Sequence, residues 1–94
     1  MIRVFLLHEA QLYWDRQDPS NEGWYLRYRD EFGDEQSGYS IDAAKDASME
    51  ELGAAVESAL GSSGATGEIR VFRGDEQCGR LTLRDGECMD WRAS

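Results

Sequence analysis

Residues 48–61, SMEELGAAVESALG, carry the strongest helix signal in this chain of 94 residues and decide its fold class. Ser48 and Glu51 match a capping box, in which the serine hydroxyl accepts from an orphan amide and the glutamate reaches back to the serine amide. The pattern predicts a helix over residues 49–60, with Gly61 as its left-handed stop. The apolar stripe expected to pack on a sheet consists of Met49, Leu52, Val56, Ala59 and Leu60.

Before this helix, the hydrophobic pattern has the period of two that indicates β-strands. Strands are expected over residues 2–8, 12–14 and 24–29, with a short fourth over 39–41, and residues 18–23 around the only proline form a turn. In the third strand the side chains alternate, so one face of the sheet is buried and the other is wet. Trp24, Leu26 and Tyr28 share one face, and Tyr25, Arg27 and Arg29 share the other.

After the helix, residues 61–67 read as a flexible Gly/Ser connector, followed by strands over residues 69–72, 80–84 and 88–91. Asp85 and Gly86 form a type I′ turn signal between the last two. The order β-β-β-(β)-α-β-β-β predicts one compact α+β domain over residues 1–94. Its architecture is an antiparallel sheet of about five to six strands with one main helix packed across it.

The acidic residues are concentrated in one part of the chain. Residues 30–57 hold nine carboxylates against one cation, Lys45, and so carry eight of the nine net negative charges. The remaining residues have ten acids and nine arginines and are almost neutral. A segment of this kind repels nucleic acid and attracts basic protein surfaces.

Catalytic and metal-binding signatures are weak in this sequence. The one histidine, His8, is in phase with Val4 and Leu6 on the expected inward side and has no nucleophile partner, so a structural role is favoured and no enzyme is expected. Residues 30–35 resemble a calcium loop, but Phe32 stands where a second oxygen ligand is needed and Glu35 where a glycine is needed. No metal or cofactor is expected.

The expected cellular setting is inferred from the apolar runs of the sequence. The opening apolar run is too short for a signal peptide and nothing later approaches a membrane span, so a cytoplasmic protein is expected. Cys78 and Cys88 lack the spacing of a redox or zinc motif, and both thiols are expected to be reduced.

Two surface features remain as candidates for binding. Carboxylates along a loop and a helix can imitate a phosphate backbone and occupy a groove lined by arginine and lysine. The outward sheet face mixes cations with aromatic rings, a combination that also suits single-stranded bases, although a net charge of −9 opposes phosphate. The residues of that face are Tyr25, Arg27, Arg29, Arg70, Phe72, Arg80 and Arg84.

In size, acidity and the packing of carboxylates into residues 30–57, the chain resembles, at the level of class, small phage and mobile-element inhibitors of the anti-CRISPR kind. These proteins share no common motif, so the resemblance transfers no functional position. It implies a non-enzymatic protein that disables nucleic-acid machinery of a host by contacting it directly.

We therefore expect an acidic binding protein that inhibits or regulates a nucleic-acid-handling protein or complex by presenting carboxylates to its basic surface. The expected contact residues are Asp30, Glu31, Asp34, Glu35, Asp46, Glu50 and Glu57. The alternative is a structural or accessory protein that self-assembles, for example as a homodimer, through a sheet edge or exposed aromatics, with Trp14, Trp24 and Trp91 as candidate anchors. A third hypothesis is an RNA-binding sheet that depends on Arg27 and Arg29.

Overall fold

The structure is a computed structural model that describes residues 5–16 and 22–93. Their β-strands, α-helix and 3₁₀ turn follow one another as β1 (Phe5–Leu6), β2 (His8–Arg16), β3 (Glu22–Arg29), β4 (Glu35–Ile41), α1 (Met49–Leu60), the 3₁₀ turn (Gly61–Ser63), β5 (Ala65–Arg73), β6 (Glu76–Arg84) and β7 (Glu87–Ala93). The α+β class with one main helix is therefore confirmed for the described residues.

The strands form one mixed sheet in the order β4-β3-β2-β5-β6-β7, with β1 paired alongside β5. At its centre β2 and β5 run parallel, with Ala10 opposite Ile69 and Leu12 opposite Val71. The prediction of an antiparallel sheet is wrong at this pair and at β1, which is also parallel to β5. The cause is α1, which carries the chain back along the sheet so that β5 starts in the same direction as β2.

The start of the sheet differs in phase from the expectation. Leu7 is buried, whereas Leu6 is 41% exposed and His8 is exposed, so His8 does not point inward as predicted. The phase changes because the chain breaks between β1 and β2 and Glu9 takes a positive φ of 51°. The expected strand residues 2–4 and most of the expected turn at 18–23 lie outside the described residues.

The helix begins and ends where the sequence predicts. Ser48 Oγ accepts from the Glu51 amide at 3.1 Å, and Glu51 Oε1 accepts from the Ser48 amide at 3.2 Å. Ala59 is exposed rather than part of the stripe, and the buried residues of α1 are Met49, Leu52, Gly53, Val56 and Leu60. Gly61 continues as right-handed helix into the 3₁₀ turn, and Gly64, with φ of 73°, is the left-handed residue.

Several loops are shorter than the sequence suggested. The turn between β3 and β4 occupies residues 30–34, and β4 begins at Glu35, four residues before the short strand expected over residues 39–41. Of the expected 61–67 connector, only the 3₁₀ turn and Gly64 separate α1 from β5. Asp85 and Gly86 both have positive φ, 52° and 82°, as a type I′ turn requires.

The core lies between α1 and one face of the sheet. Leu12, Trp24, Leu26, Ile69 and Leu81 of the sheet are fully buried with Leu52 and Val56 of α1. The helix packs mainly over β6 and β7. The opposite side of the sheet, which we call the open face, is not covered by any element of the described residues, and it carries the alternate side chains of each strand.

Candidate functional site

The β3–β4 turn, residues 30–34, together with Glu35 at the start of β4, is an ordered acidic segment, which we call the acidic turn. The Asp30 carboxylate accepts from the Phe32 amide at 2.9 Å and from the Asp34 amide at 3.0 Å, both through Oδ1. The Gln36 side chain donates to Oδ2 at 3.2 Å. Two backbone hydrogen bonds between Asp30 and residues 33 and 34 close the turn, so Asp30 serves the turn internally.

The electrostatics of Asp30 reflect this role. Desolvation raises the pKa of its carboxyl, but the hydrogen bonds from Asp34, Gln36 and Phe32 outweigh it and hold the pKa below its usual value. Arg29 supports the turn from the strand end, because Nη1 donates to the Gly33 carbonyl at 3.0 Å while Nε pairs with Glu9 at 2.9 Å. The turn is therefore held at both ends and from within.

Phe32 is the most exposed large apolar residue described, at 82%. It lies between Glu31 and Asp34, which are both exposed. Its own amide donates a hydrogen bond to the Asp30 carboxylate. Phe32 was not among the contact residues expected from the sequence, where it argued only against a calcium loop. The available signal was a large apolar side chain inside a run of acids at a hairpin turn.

The expected contact residues do not form one patch. Asp30, Glu31, Asp34 and Glu35 lie together at the turn between β3 and β4, at one edge of the sheet. Asp46 lies in the turn before α1, and Glu50 and Glu57 lie on α1 over the other edge, where Glu57 Oε2 accepts from the Cys88 amide. The structure thus brings four of the seven residues together and places three elsewhere.

The arginines leave the acidic segment uncompensated. The ion pairs among the described residues join Arg29 to Glu9 at 2.9 Å, Arg80 to Glu68 at 3.7 Å, and Arg92 to Asp90 at 3.0 Å. Each acid in these pairs lies outside residues 30–57. The one cation of the segment, Lys45, lies 5.9 Å from the centre of the Trp14 ring. The negative charge of the segment is therefore not cancelled by pairing within the described residues.

The two cysteines and the three tryptophans differ in how deeply they are buried. Cys78 and Cys88 are free, and burial raises the pKa of the Cys88 thiol, with the Glu57 and Asp90 carboxylates adding to the rise. Trp24 is fully buried, and its Nε1 donates to the Ala44 carbonyl at 2.8 Å. Trp14 is half-buried against it, and Trp91 on β7 is 47% exposed. Of the three tryptophans, Trp91 alone is left with half of its surface free.

Comparison of the chain with protein-family models, with curated proteins and with solved structures found no match. No described helix has both the length and the apolar character needed to cross a bilayer. Within residues 5–16 and 22–93, no three His, Cys, Asp or Glu side chains are grouped so that they could hold a metal ion.

Proposed function

We propose that this chain is a non-enzymatic binding protein that inhibits or regulates a nucleic-acid-handling protein or complex by inserting its acidic turn into a basic surface. The observation that carries the proposal is the position of Phe32, 82% exposed in a turn fixed by Asp30 and flanked by Glu31, Asp34 and Glu35.

An exposed aromatic ring on an ordered loop is suited to fill a pocket on a partner, because little conformational freedom is lost on binding. The surrounding carboxylates steer the approach and reject acidic partners. A surface built to hold a phosphate backbone offers the complementary charge. Asp46, Glu50 and Glu57 add to the long-range field from the helix side without contacting the same site.

The test begins with capture of partners from host lysate by the tagged protein at low and high salt, followed by binding kinetics with the purified partner. Phe32→Ser should weaken the affinity by about 2 kcal/mol or more, mainly through faster dissociation. The double reversal Glu31→Lys with Asp34→Lys should slow association and reduce the salt dependence.

The matched control is Asp46→Lys with Glu50→Lys, which changes the net charge by the same amount at the other end of the molecule. It should lower the association rate modestly and leave the dissociation rate unchanged. Equal effects of the two double reversals, or an affinity for the partner indifferent to Phe32→Ser, would contradict a docking role for the acidic turn.

Self-assembly is the second candidate function, and the edge strand β7 favours it. Met89 is 58% and Trp91 47% exposed on this edge. If a second copy paired antiparallel with β7 about a two-fold axis through Trp91, the two Trp91 side chains would be opposite each other. Asp90 would then lie opposite Arg92 of the second copy, so the charges are complementary.

Sedimentation at several concentrations separates the two functions. A dimer through β7 should dissociate in a Trp91→Glu variant and persist in Phe32→Ser. A wild-type protein that stays monomeric at high concentration would exclude assembly through this edge.

A further inference from the structure

The open face carries a row of cations that the acidic turn does not explain. Strand register aligns Arg27 of β3, Gln11 of β2, Arg70 of β5, Arg80 of β6 and Arg92 of β7 side by side. We call these four arginines the arginine row. Like charges on directly opposed strand positions repel one another, so the row needs compensating anions.

Only two of the four arginines in the row form ion pairs with described residues. Arg80 and Arg92 pair with Glu68 and Asp90. Arg27 donates to the neutral side-chain oxygen of Gln11, and Arg70 makes no hydrogen bond or ion pair with any described residue. The two guanidinium groups on either side of Gln11 therefore form no ion pair within residues 5–16 and 22–93.

An aromatic row lies beside these two arginines. Tyr25, Tyr13 and Phe72 are opposed on β3, β2 and β5, one pleat along the strands from the arginine row. The Tyr13 and Tyr25 rings lie 6.2 Å apart, and the Arg27 guanidinium lies 5.7 Å from the centre of the Tyr13 ring. All three side chains are half-buried, and Tyr13 and Phe72 line a concavity of the open face.

The surface here is concave. One concavity of about 440 Å³ includes Arg70 in its wall, beside Glu9 and Glu68, which pair with Arg29 and Arg80. A second concavity of about 510 Å³ is lined by Tyr13, Arg27 and Phe72 together with Asp15 and Asp75. The two adjoin at Gln11, which lines both. A ring seated on Tyr13 and Phe72 would thus place an attached anionic group above Gln11, between Arg27 and Arg70.

We propose that the open face of the sheet is a binding site for a mononucleotide, with the base stacked on Tyr13 and Phe72 and the phosphate held by Arg27 and Arg70. Base stacking on aromatic side chains and phosphate contacts from arginine are the ordinary means of binding such a ligand. The net charge of −9 favours a ligand with a single phosphate, because every further phosphate adds repulsion.

The site lies on the opposite side of the sheet from α1 and is independent of the proposed docking role of the acidic turn. It also changes which residues matter for a nucleic-acid hypothesis. Arg29 is committed to Glu9 and to the turn, whereas Arg70 has no partner among the described residues. Arg70 is therefore the decisive cation.

The experiment is an NMR titration of the full chain with AMP, adenosine, inorganic phosphate and a ten-nucleotide RNA strand. AMP should give saturable amide shifts on β2, β3 and β5 that are confined to the open face, and adenosine or phosphate alone should bind about tenfold more weakly. Absence of saturable shifts up to roughly 5 mM AMP would overturn the proposal, because a site weaker than this selects nothing. A strand that binds more than about tenfold tighter than AMP would overturn the assignment to a mononucleotide.

Variants locate the site. Arg70→Gln should weaken AMP binding about tenfold or more, and Phe72→Leu should weaken it several-fold. Arg84→Gln is the matched control, since Arg84 is also exposed on β6 and its replacement changes the net charge equally, but it lines neither concavity. Thermal unfolding of each variant checks that it is folded. If Arg70→Gln and Arg84→Gln weakened AMP binding equally, the effect would come from net charge alone and the proposed site would be overturned.

Discussion

A Cβ atom placed on Gly53 of α1 would lie 2.8 Å from Sγ of Cys88 on β7. The backbone of the helix at Gly53 therefore packs directly against the Cys88 side chain of the edge strand. Real Cβ atoms do not approach sulfur this closely, so Gly53 sets the distance at which α1 packs on the sheet.

Gly53→Ala should destabilise the protein, against the usual preference. In a free helix this change is favourable by about 1 kcal/mol, but overpacking against Cys88 costs about 1–3 kcal/mol, and we expect the net effect to be unfavourable. Urea unfolding measures it. The double variant Gly53→Ala with Cys88→Ala should regain most of the loss, since the new methyl group then occupies the space of the sulfur. A Gly53→Ala protein more stable than wild type would show that the helix can move outward freely.

Acid should weaken the acidic turn through Asp30. The pKa of this carboxyl is lowered in the folded protein, so its contribution to stability is present above the unfolded pKa, near 3.9, and is lost as the pH falls through the lower folded value. Asp30→Ala should therefore lower the free energy of unfolding at neutral pH, and the difference from wild type should shrink on acidification. Asp34→Ala is the control, because Asp34 contributes its backbone to the turn. A loss independent of pH would mean that the charge of Asp30 is unimportant.

Trp24→Phe should cost about 2–4 kcal/mol of stability, because it leaves a cavity in the core and removes the donor to the Ala44 carbonyl. The segment before α1 should loosen as well, since the Arg73 guanidinium lies over the Trp24 ring and also bonds the Ala47 carbonyl. Chemical denaturation measures the first effect and amide hydrogen exchange the second. Trp91→Phe, at an exposed site, should change the monomer's stability by less than about 0.5 kcal/mol.

Phe32→Ser should leave the free energy of unfolding within about 0.5 kcal/mol of wild type, because the exposed ring buries little surface in the folded protein. The same variant is expected to lose partner binding, so the two measurements together separate a binding residue from a structural one. A large loss of stability would instead assign Phe32 a place in the folded core.

Local signals predicted the local structure. The capping box predicted the start of α1, and the alternation in β3 predicted the two faces of the sheet. The end of α1 was placed correctly before Gly61, but Gly61 is right-handed rather than the expected left-handed stop. The parallel pairing of β2 with β5 has no local signal, because it depends on where α1 returns the chain. Residue 9 is not a glycine, and the positive φ there that reverses the phase around Leu7 could not be read from the sequence.

For the candidate sites too, local features could be predicted from the sequence, whereas features that depend on the tertiary structure could not. Charge counting found the acids, and alternation placed Arg27, Arg70 and Phe72 on one face. Only the register of five strands shows that four arginines stand in a single row, and only hydrogen bonding shows that Arg70 lacks a partner among the described residues. The exposure of Phe32 depends on the tight turn that ends where β4 begins at Glu35, whereas the fourth strand was expected to begin at residue 39.

The parallel central pair also has a consequence for the newly made chain on the ribosome. Ala10 and its opposite residue, Ile69, are separated by most of the sequence, so β2 remains an unpaired edge until β5 has been synthesised. During that interval β2, β3 and β4 form an incomplete sheet whose inner edge is open to other chains. Aggregation during synthesis, rather than loss of the finished fold, is the failure to which this topology exposes the protein.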